Sequence, residues 1–190
     1  MTEIETLNEA LEKLYLDNYK DKFNKKTNIK RLTEYEEAFG FNEDTRVGSK
    51  NFCNYLGYFM EDVYNLSNNF NKINTNNKGG NDGENINSYF ECKNQYNTMK
   101  QSLAFNEILP KISKAIEEKK HFYLLILVDK NNKSRNIPLH KGYGLNKIQN
   151  VKGYDEKIHR WVSGDEIYNL LFEKNAKNVK NKILELFKKN

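Results

Sequence analysis

Two acidic residues and a lysine stand at a spacing that suits phosphodiester hydrolysis. Asp82 lies beside a cluster of glycines, and Glu91 and Lys93 follow it in the stretch DGENINSYFECK. Side chains alternate between the two faces of a strand, so Glu91 and Lys93 share one face while Phe90 and Cys92 share the other. A turn in the glycine-rich stretch can bring Asp82 back beside Glu91.

Two converging carboxylates offer the oxygen ligands that Mg²⁺ takes in proteins, together with water and phosphate oxygens. The ion polarises a phosphodiester and lowers the pKa of a bound water. Lys93 can orient that water and stabilise the charge of the transition state. We therefore predict Asp82, Glu91 and Lys93 as catalytic residues, and Asp82 and Glu91 as ligands of Mg²⁺. Glu84, in the same turn as Asp82, is the alternative ligand.

The surrounding pattern predicts the elements that hold these residues: a strand over Ile86–Lys93, a helix from Asn97 or Thr98 to about Lys120, and a strand over Phe122–Val128. The second strand reads FYLLILV, a continuous apolar run typical of a central strand covered on both faces. Strand, helix and strand in this order form a unit whose two strands are parallel with a right-handed crossover. Pro110 should kink the helix or split it.

Apolar residues at helical spacing, capping residues and turn residues predict the other elements. They are helices over Thr2–Tyr19 and Ile29–Phe39, a helix capped by Ser49, a turn at Asn131–Ser134 with a strand over Arg135–Leu139, a helix from a Ser163–Glu166 capping box through Phe172, and a helix over Val179–Phe187. The polar stretch 68–87 has the composition of a loose loop.

With 190 residues the chain is long enough for one domain with its own core. We predict the α/β (α+β) class, with a central mixed β-sheet flanked by helices. Residues 1–48 form an N-terminal helical part, residues 49–130 the catalytic core and residues 131–190 a basic C-terminal part.

Positive charge is concentrated in the last third of the chain. Residues 129–190 hold 14 Lys and Arg against 7 Asp and Glu, although the whole chain carries only +5. A polyanion such as DNA binds a basic surface by releasing counterions, whereas a solvated lysine-rich surface gives the same count. Arg and Asn suit contacts with guanine and adenine in the major groove. The candidate DNA-binding residues are Asn94, Asn97, Thr98, Lys133, Arg135, Asn136 and Arg160. The first three can also cap the helix after the strand, and Lys133–Asn136 can form an ordinary polar hairpin.

Several classes of protein are excluded by composition. No apolar run approaches the roughly 18 residues of a membrane span, and the first ten residues are acidic rather than basic, unlike a signal peptide. Two cysteines, Cys53 and Cys92, make neither a disulfide scaffold nor a zinc site by themselves. The three histidines match no zinc spacing. We expect a cytoplasmic protein without a membrane partner.

The spacing D-x(8)-E-x-K, on a strand followed by a helix and an apolar strand, resembles the PD-(D/E)XK nuclease superfamily. The run FECKNQYNT (Phe90–Thr98) is similar to the E-x-K-N-K-F-N-T segment of type II restriction endonucleases that cut GGNCC-type sites. The run VSGDEIYNLL (Val162–Leu171) resembles the G-D-x-F-Y-x-L helix start of those enzymes. The resemblance covers roughly residues 50–172.

This resemblance implies a sequence-specific endonuclease of a restriction-modification system. Such an enzyme acts on double-stranded DNA as a homodimer, hydrolyses phosphodiesters with Mg²⁺ and leaves 5′-phosphates. A cognate DNA methyltransferase acts on the same site without forming a stable complex. The family often takes a further acid from an upstream helix, for which Glu61 is the candidate. A Holliday-junction resolvase or repair nuclease of the same fold, or a non-catalytic DNA-binding module, is the alternative.

Overall fold

In the computed structural model the chain is described over residues 2–23, 49–73, 80–95, 101–129 and 133–188. The strands in these ranges are β1 (Asn71–Lys72), β2 (Gly83–Glu84), β3 (Ser88–Gln95), β4 (His121–Val128), β5 (Arg135–Pro138) and β6 (His159–Ser163). The helices are α1 (Glu3–Asn18), α2 (Lys20–Phe23), α3 (Ser49–Asn65), α4 (Gln101–Glu117), α5 (Asp165–Phe172) and α6 (Ala176–Lys188). Short 3-10 turns lie at Leu139–Lys141, Asn146–Asn150 and Glu173–Asn175.

The six strands form one mixed sheet in the order β1-β2-β3-β4-β6-β5. Strands β3, β4 and β6 run parallel. The remaining pairings are antiparallel: β2 with β3, β1 with β2, and β5 with β6. Helix α4 connects β3 to β4, which confirms the predicted parallel unit. The predicted fold class, a central mixed sheet flanked by helices, is also confirmed.

Strand β4 is covered on both faces, as its apolar run predicts. Phe122, Leu124 and Ile126 pack into one core with α4 and the 3-10 turns that follow β5. Leu125 and Leu127 face a second core, to which α1, α2, α3, α5 and α6 contribute. The sheet therefore separates two apolar layers, so a charged side chain in its middle is withdrawn from water.

The helices at the two ends of the chain pack together in the second core. Thr2 and Glu5 form a capping box at the start of α1, and the helix fills most of the predicted Thr2–Tyr19 segment. The Tyr15 ring stands edge-on to both Phe59 of α3 and Phe187 of α6. The predicted helix over Ile29–Phe39 lies outside the described residues.

The described residues of the polar stretch 68–87 are more regular than the loose loop that its composition indicates. Within its described residues β1 and β2 pair antiparallel, and the Ile73 amide donates to the Asp82 carbonyl at 3.0 Å. The buried Phe70 ring lies under Gly83, where a Cβ would come within 2.4 Å of a ring carbon. Backbone pairing and this buried ring hold the segment, and Asp82 with it, against the sheet.

Strand β3 begins later than its apolar residues predict. Ile86 is 87% exposed and precedes β3, which starts at Ser88. The Asn87 amide donates to Asn85 Oδ1 at 2.9 Å, so a turn stabilised by an asparagine side chain occupies the predicted strand start. The predicted start of the next helix, at Asn97 or Thr98, lies outside the described residues.

Of the two effects expected of Pro110, a kink or a split of the helix, the split does not occur. Helix α4 runs through Pro110 from Gln101 to Glu117. A proline in a helix leaves the carbonyl four residues earlier without its usual donor. That residue, Asn106, and Pro110 itself are both exposed, so water can satisfy the freed carbonyl.

The region after β4 differs from the sequence-based prediction in two ways. Strand β5 does not return against β4, because β6 lies between them. Ser163 and Glu166 form no capping box: Ser163 ends β6, and Gly164 precedes α5 with φ +57° and no capping side chain. Instead, the Glu166 amide donates to Ser134 Oγ at 3.0 Å. The cap of α5 is therefore supplied from a distant part of the chain.

Ser134→Ala should lower the free energy of unfolding by about 1 kcal/mol, the usual contribution of a capping hydroxyl. The reason is that the Glu166 amide loses its acceptor. Urea unfolding followed by circular dichroism measures the change, with Lys133→Ala, an exposed neighbour, as the control. A Ser134→Ala protein as stable as the wild type would show that the hydroxyl does not cap α5.

Candidate active site

Strand β3 and the residue before β2 bring the three predicted residues of the site together. Glu91 and Lys93 project from β3 on the side of α4, and Asp82 lies next to β3 because its amide donates to the Phe90 carbonyl at 3.0 Å. Asp82 Oδ2 in turn accepts a hydrogen bond from the Cys92 amide at 2.7 Å. Two bonds thus hold Asp82 against the strand that carries Glu91.

Glu91 is the most deeply buried charged group of the site, with 1% of its surface exposed. Its Oε1 atom lies 2.9 Å from Lys93 Nζ and 2.5 Å from Lys111 Nζ. Lys93 Nζ also lies 2.5 Å from Glu107 Oε1. Glu107 and Lys111 stand one turn apart on α4, so this helix adds one charge of each sign. The four residues form an alternating chain of charges that we call the charge chain.

Burial and neighbouring carboxylates set the protonation of the site. Burial, followed by the nearby Asp82 carboxylate, raises the pKa of Glu91 against the effect of the two lysines. Burial likewise raises the pKa of Asp82, and the Glu61 carboxylate adds to this. Burial favours a lower pKa for Lys93, but Glu91 and Glu107 outweigh it, and the pKa lies above its ordinary value. Negative charge is thus crowded here, a condition that a bound cation would relieve.

The donor set fits a hard divalent cation with few protein ligands. Glu91 Oε2 is buried and has no hydrogen-bond partner. Asp82 and Glu91 supply only oxygen donors, as Mg²⁺ requires, and Mg²⁺ commonly takes one or two carboxylates with water and phosphate oxygens. Within the ranges that the structure describes, no three His, Cys, Asp or Glu residues are grouped to hold a metal ion. A cation bound here would have only the Asp82 and Glu91 carboxylates as candidate protein ligands among those predicted at this position.

The two additional acids predicted from the sequence lie in different places. Glu61, on α3, is 3.5 Å from Lys72 Nζ. Burial raises the pKa of Glu61, and Glu91 is among the charges that contribute, so Glu61 lies near the carboxylate pair. Glu84 instead faces Lys120 at 3.6 Å, next to the start of β3. The structure thus brings Glu61 towards Asp82 and Glu91 but not Glu84.

The candidate DNA-binding residues next to the strand are only partly described. Asn94 is on the face opposite Glu91 and packs closely on α3, where a Cβ at Gly57 would lie 3.1 Å from Asn94 Nδ2. Asn97 and Thr98 lie outside the described residues. Cys92, on the same face as Asn94, packs against the second core, and burial raises the pKa of its thiol.

Arg135 stands in the same transverse row of the sheet as Lys93. Lys93 pairs with Ile126 on β4, Ile126 with Ser163 on β6, and Ser163 with Arg135 on β5. Three strand spacings separate the two ends of this row, which is about 14 Å. Arg135 Nε lies 2.9 Å from a carboxylate oxygen of Asp129, just beyond the end of β4. The guanidinium is therefore anchored beyond the end of the parallel strands.

The other three candidates of the C-terminal part are arranged differently. Arg160 Nε donates to Asn136 Oδ1 at 2.8 Å, so these two side chains hold each other. Arg160 pairs with Tyr123 on β4, near the start of that strand and away from the row of Lys93. Lys133 is exposed, and its carbonyl accepts from Ser163 Oγ at 2.7 Å.

Sequence reasoning missed Lys111 and Glu107. The apolar stripe of α4 was visible in the sequence, and it includes Ile108 and Ile112, which are fully buried. Lys111 is adjacent to that stripe, and Glu107 lies four residues before Lys111, which is the spacing of an ion pair on a helix. Only the packing of α4 on β3 shows that each of them pairs instead with a residue of the strand.

The family model described as Eco47II restriction endonuclease matches residues 2–187, nearly the whole chain and more than the sequence resemblance covers. The chain belongs to the Eco47II restriction endonuclease family. Comparison with curated proteins and with solved structures gives no match. As a member of this family the protein is a type II site-specific deoxyribonuclease, a hydrolase that acts on DNA, which confirms the predicted enzyme class. In the described part of the chain no helix is long and apolar enough to cross a membrane.

The role of Asp82, which lies just before β2, can be tested directly. Asp82→Ala should lower the rate of DNA cleavage about 10²-fold or more, the usual effect of losing one stabiliser of transition-state charge. Glu84→Ala should cleave like the wild type, because Glu84 faces Lys120 rather than Glu91. Timed digestion of an unmethylated plasmid measures both rates, and circular dichroism checks the fold. An active Asp82→Ala protein beside an inactive Glu84→Ala protein would reverse the assignment.

Proposed function

We propose that the protein cleaves double-stranded DNA at a specific site by Mg²⁺-dependent phosphodiester hydrolysis that leaves 5′-phosphates. The observation that carries the proposal is the buried, unpartnered Oε2 of Glu91, on the strand that also carries Lys93 and holds Asp82. Membership of a family of DNA endonucleases supplies the substrate class. Asp82 and Glu91 are the proposed Mg²⁺ ligands, and Asp82, Glu91 and Lys93 the proposed catalytic residues.

Each side chain has a distinct part in this reaction. When bound, Mg²⁺ would polarise the phosphodiester and lower the pKa of water. The Asp82 and Glu91 carboxylates would hold the cation, and the Lys93 ammonium donates to the attacking water or to a phosphate oxygen. A water molecule attacks the phosphorus and gives its proton to solvent, and the bond between phosphorus and the 3′-oxygen breaks. The 3′-oxygen takes a proton from solvent water and leaves as a hydroxyl, while the phosphate remains on the 5′-carbon.

The basic C-terminal part supports a DNA interface beyond the end of β4. The row that joins Lys93 to Arg135 spans about 14 Å, close to the width of the major groove. Asp129 holds Arg135 through Nε, and the terminal nitrogens of an arginine can reach guanine O6 and N7. We propose that Arg135 contacts a base and Lys133 a phosphate. Other proposed contacts are Asn94, Asn97, Thr98, Asn136 and Arg160.

A double-stranded DNA substrate has consequences for the oligomeric state of the enzyme and for its role in the cell. Cutting both strands of a short palindrome calls for two active sites related by a twofold axis, which a homodimer provides. A restriction enzyme also needs its host DNA protected. We therefore propose that the enzyme acts in the cytoplasm as a homodimer. A cognate methyltransferase modifies the same site without forming a stable complex with it.

Metal dependence tests the proposed chemistry. An unmethylated plasmid should be cut in Mg²⁺ or Mn²⁺ and remain intact in excess chelator. Ca²⁺ should support specific binding without cutting, because its coordination is larger and looser than that of Mg²⁺. End sequencing and ligation determine whether the products carry 5′-phosphates. Rapid cleavage in excess chelator would contradict the metal mechanism.

Arg135→Ala tests where the sequence of the DNA is read. Loss of a bidentate contact with guanine should cost about 1–3 kcal/mol on the cleaved sequence and little on random duplex. Lys177→Ala, an exposed change on α6, is the control. Fluorescence anisotropy with a fragment that the wild type cuts and with random duplex, both in Ca²⁺, measures the two affinities. Equal losses on both DNAs, or none, would place recognition elsewhere.

A further inference from the structure

Lys111 is a buried cation in an otherwise apolar helix face. It is 8% exposed, and its neighbours on the inner face of α4, Ile108, Ile112 and Ala115, are fully buried. A lysine is withdrawn from water at this depth only when its charge is paired. The partner is Glu91, whose Oε1 lies 2.5 Å from Lys111 Nζ. The cation thus contacts a carboxylate of the proposed site from the helix side.

The two lysines contact the same oxygen of Glu91. Lys93 Nζ and Lys111 Nζ both lie within ion-pair distance of Oε1, at 2.9 Å and 2.5 Å. Oε2 is buried and accepts no hydrogen bond. The terminal torsion of a glutamate is broad, so the carboxylate turns freely unless its partners fix it. Two ammonium groups on Oε1 fix that rotation and leave Oε2 as the oxygen available to a ligand.

The charge chain also gives the two lysines different roles. Lys93 has a second partner, Glu107, and is partly exposed. Lys111 is buried, and Glu91 is the only ion-pair partner found for it among the described residues. When Lys93 turns towards DNA, Lys111 still neutralises Oε1 of Glu91. One lysine is therefore able to move without leaving a buried carboxylate unpaired, which would be costly.

We propose that Lys111 is a positioning residue of the DNA-cleaving site: it holds Oε1 of Glu91, directs Oε2 to the divalent cation and leaves Lys93 for the scissile phosphate. This inference rests on the proposed metal-dependent function. It gives α4 an indirect part in metal binding, through the orientation of Glu91 by Lys111.

A purely structural part for Lys111 makes a different prediction. Replacing one member of a buried ion pair would then change stability and leave the affinity for metal unchanged. Loss of charge repulsion alone would even strengthen cation binding. If Lys111 orients the Glu91 carboxylate, its loss weakens cation binding, since residues that orient a metal ligand typically affect metal affinity by 10- to 100-fold. The sign of the change in metal affinity therefore separates the two roles.

The experiment measures Mn²⁺ binding to the full chain by electron paramagnetic resonance, beside plasmid cleavage as a function of Mg²⁺. In Lys111→Met the dissociation constant for Mn²⁺ should rise at least tenfold, and cleavage at low Mg²⁺ should fall in proportion. Lys114→Met, one turn away on α4, is the control, because Lys114 is exposed and lies over the Tyr89 ring. It should bind Mn²⁺ like the wild type.

Lys111→Arg keeps the positive charge, so it tests the positioning role even if the Lys111→Met protein does not fold. A guanidinium pairs with both oxygens of a carboxylate, so it should engage Oε2 and weaken Mn²⁺ binding while the ion pair persists. Wild-type or tighter Mn²⁺ binding by a folded Lys111→Met or Lys111→Arg protein would overturn the proposal. A wild-type protein that binds Mn²⁺ but cuts no DNA would refute the proposed function alone. A wild type that binds no Mn²⁺ would refute both.

Discussion

Glu91 is a carboxylate placed where the sheet leaves almost no water, and the rest of the candidate site compensates for that position. A buried charge of this kind persists only with cations or donors around it. Lys93 and Lys111 supply two ammonium groups, and both act on one oxygen. The other oxygen is buried without a hydrogen-bond partner, and the charges of Asp82 and Glu61 interact unfavourably with the Glu91 carboxylate. Burial and the neighbouring Asp82 carboxylate together raise the pKa of Glu91.

This arrangement depends on α4 lying along the face of β3 that carries Glu91. The helix packs its apolar stripe into the core under β4, and that contact sets its distance from the strand. Glu107 and Lys111 reach Lys93 and Glu91 only because α4 continues past Pro110. A break at Pro110 would separate the turn that carries Glu107 from the one that carries Lys111. The uninterrupted helix therefore positions the two ion pairs with β3 as well as the apolar stripe.

The order of the strands sets the distance between the proposed catalytic residues and the arginine that is proposed to read the DNA sequence. Because β6 lies between β4 and β5, Arg135 is three strands from Lys93 rather than two. The wider sheet places the arginine at about the width of a major groove from Lys93, the proposed catalytic lysine. The same insertion brings Ser134 to the start of α5, so one topological feature serves both the helix cap and the interface.

The sequence by itself determined the features that depend on local periodicity and on short motifs. The run FYLLILV predicted a strand buried on both faces, the spacing of Glu91 and Lys93 put them on one face, and the resemblance at Phe90–Thr98 predicted the enzyme class. Tertiary structure decided which distant groups meet. Lys111 pairs with Glu91 and Ser134 caps α5, although neither pairing has a signal within one helical or strand repeat. Such contacts depend on the packing of whole elements, which sums many weak apolar contacts over the chain. Periodicity shows that an element has a buried face but not what it is buried against.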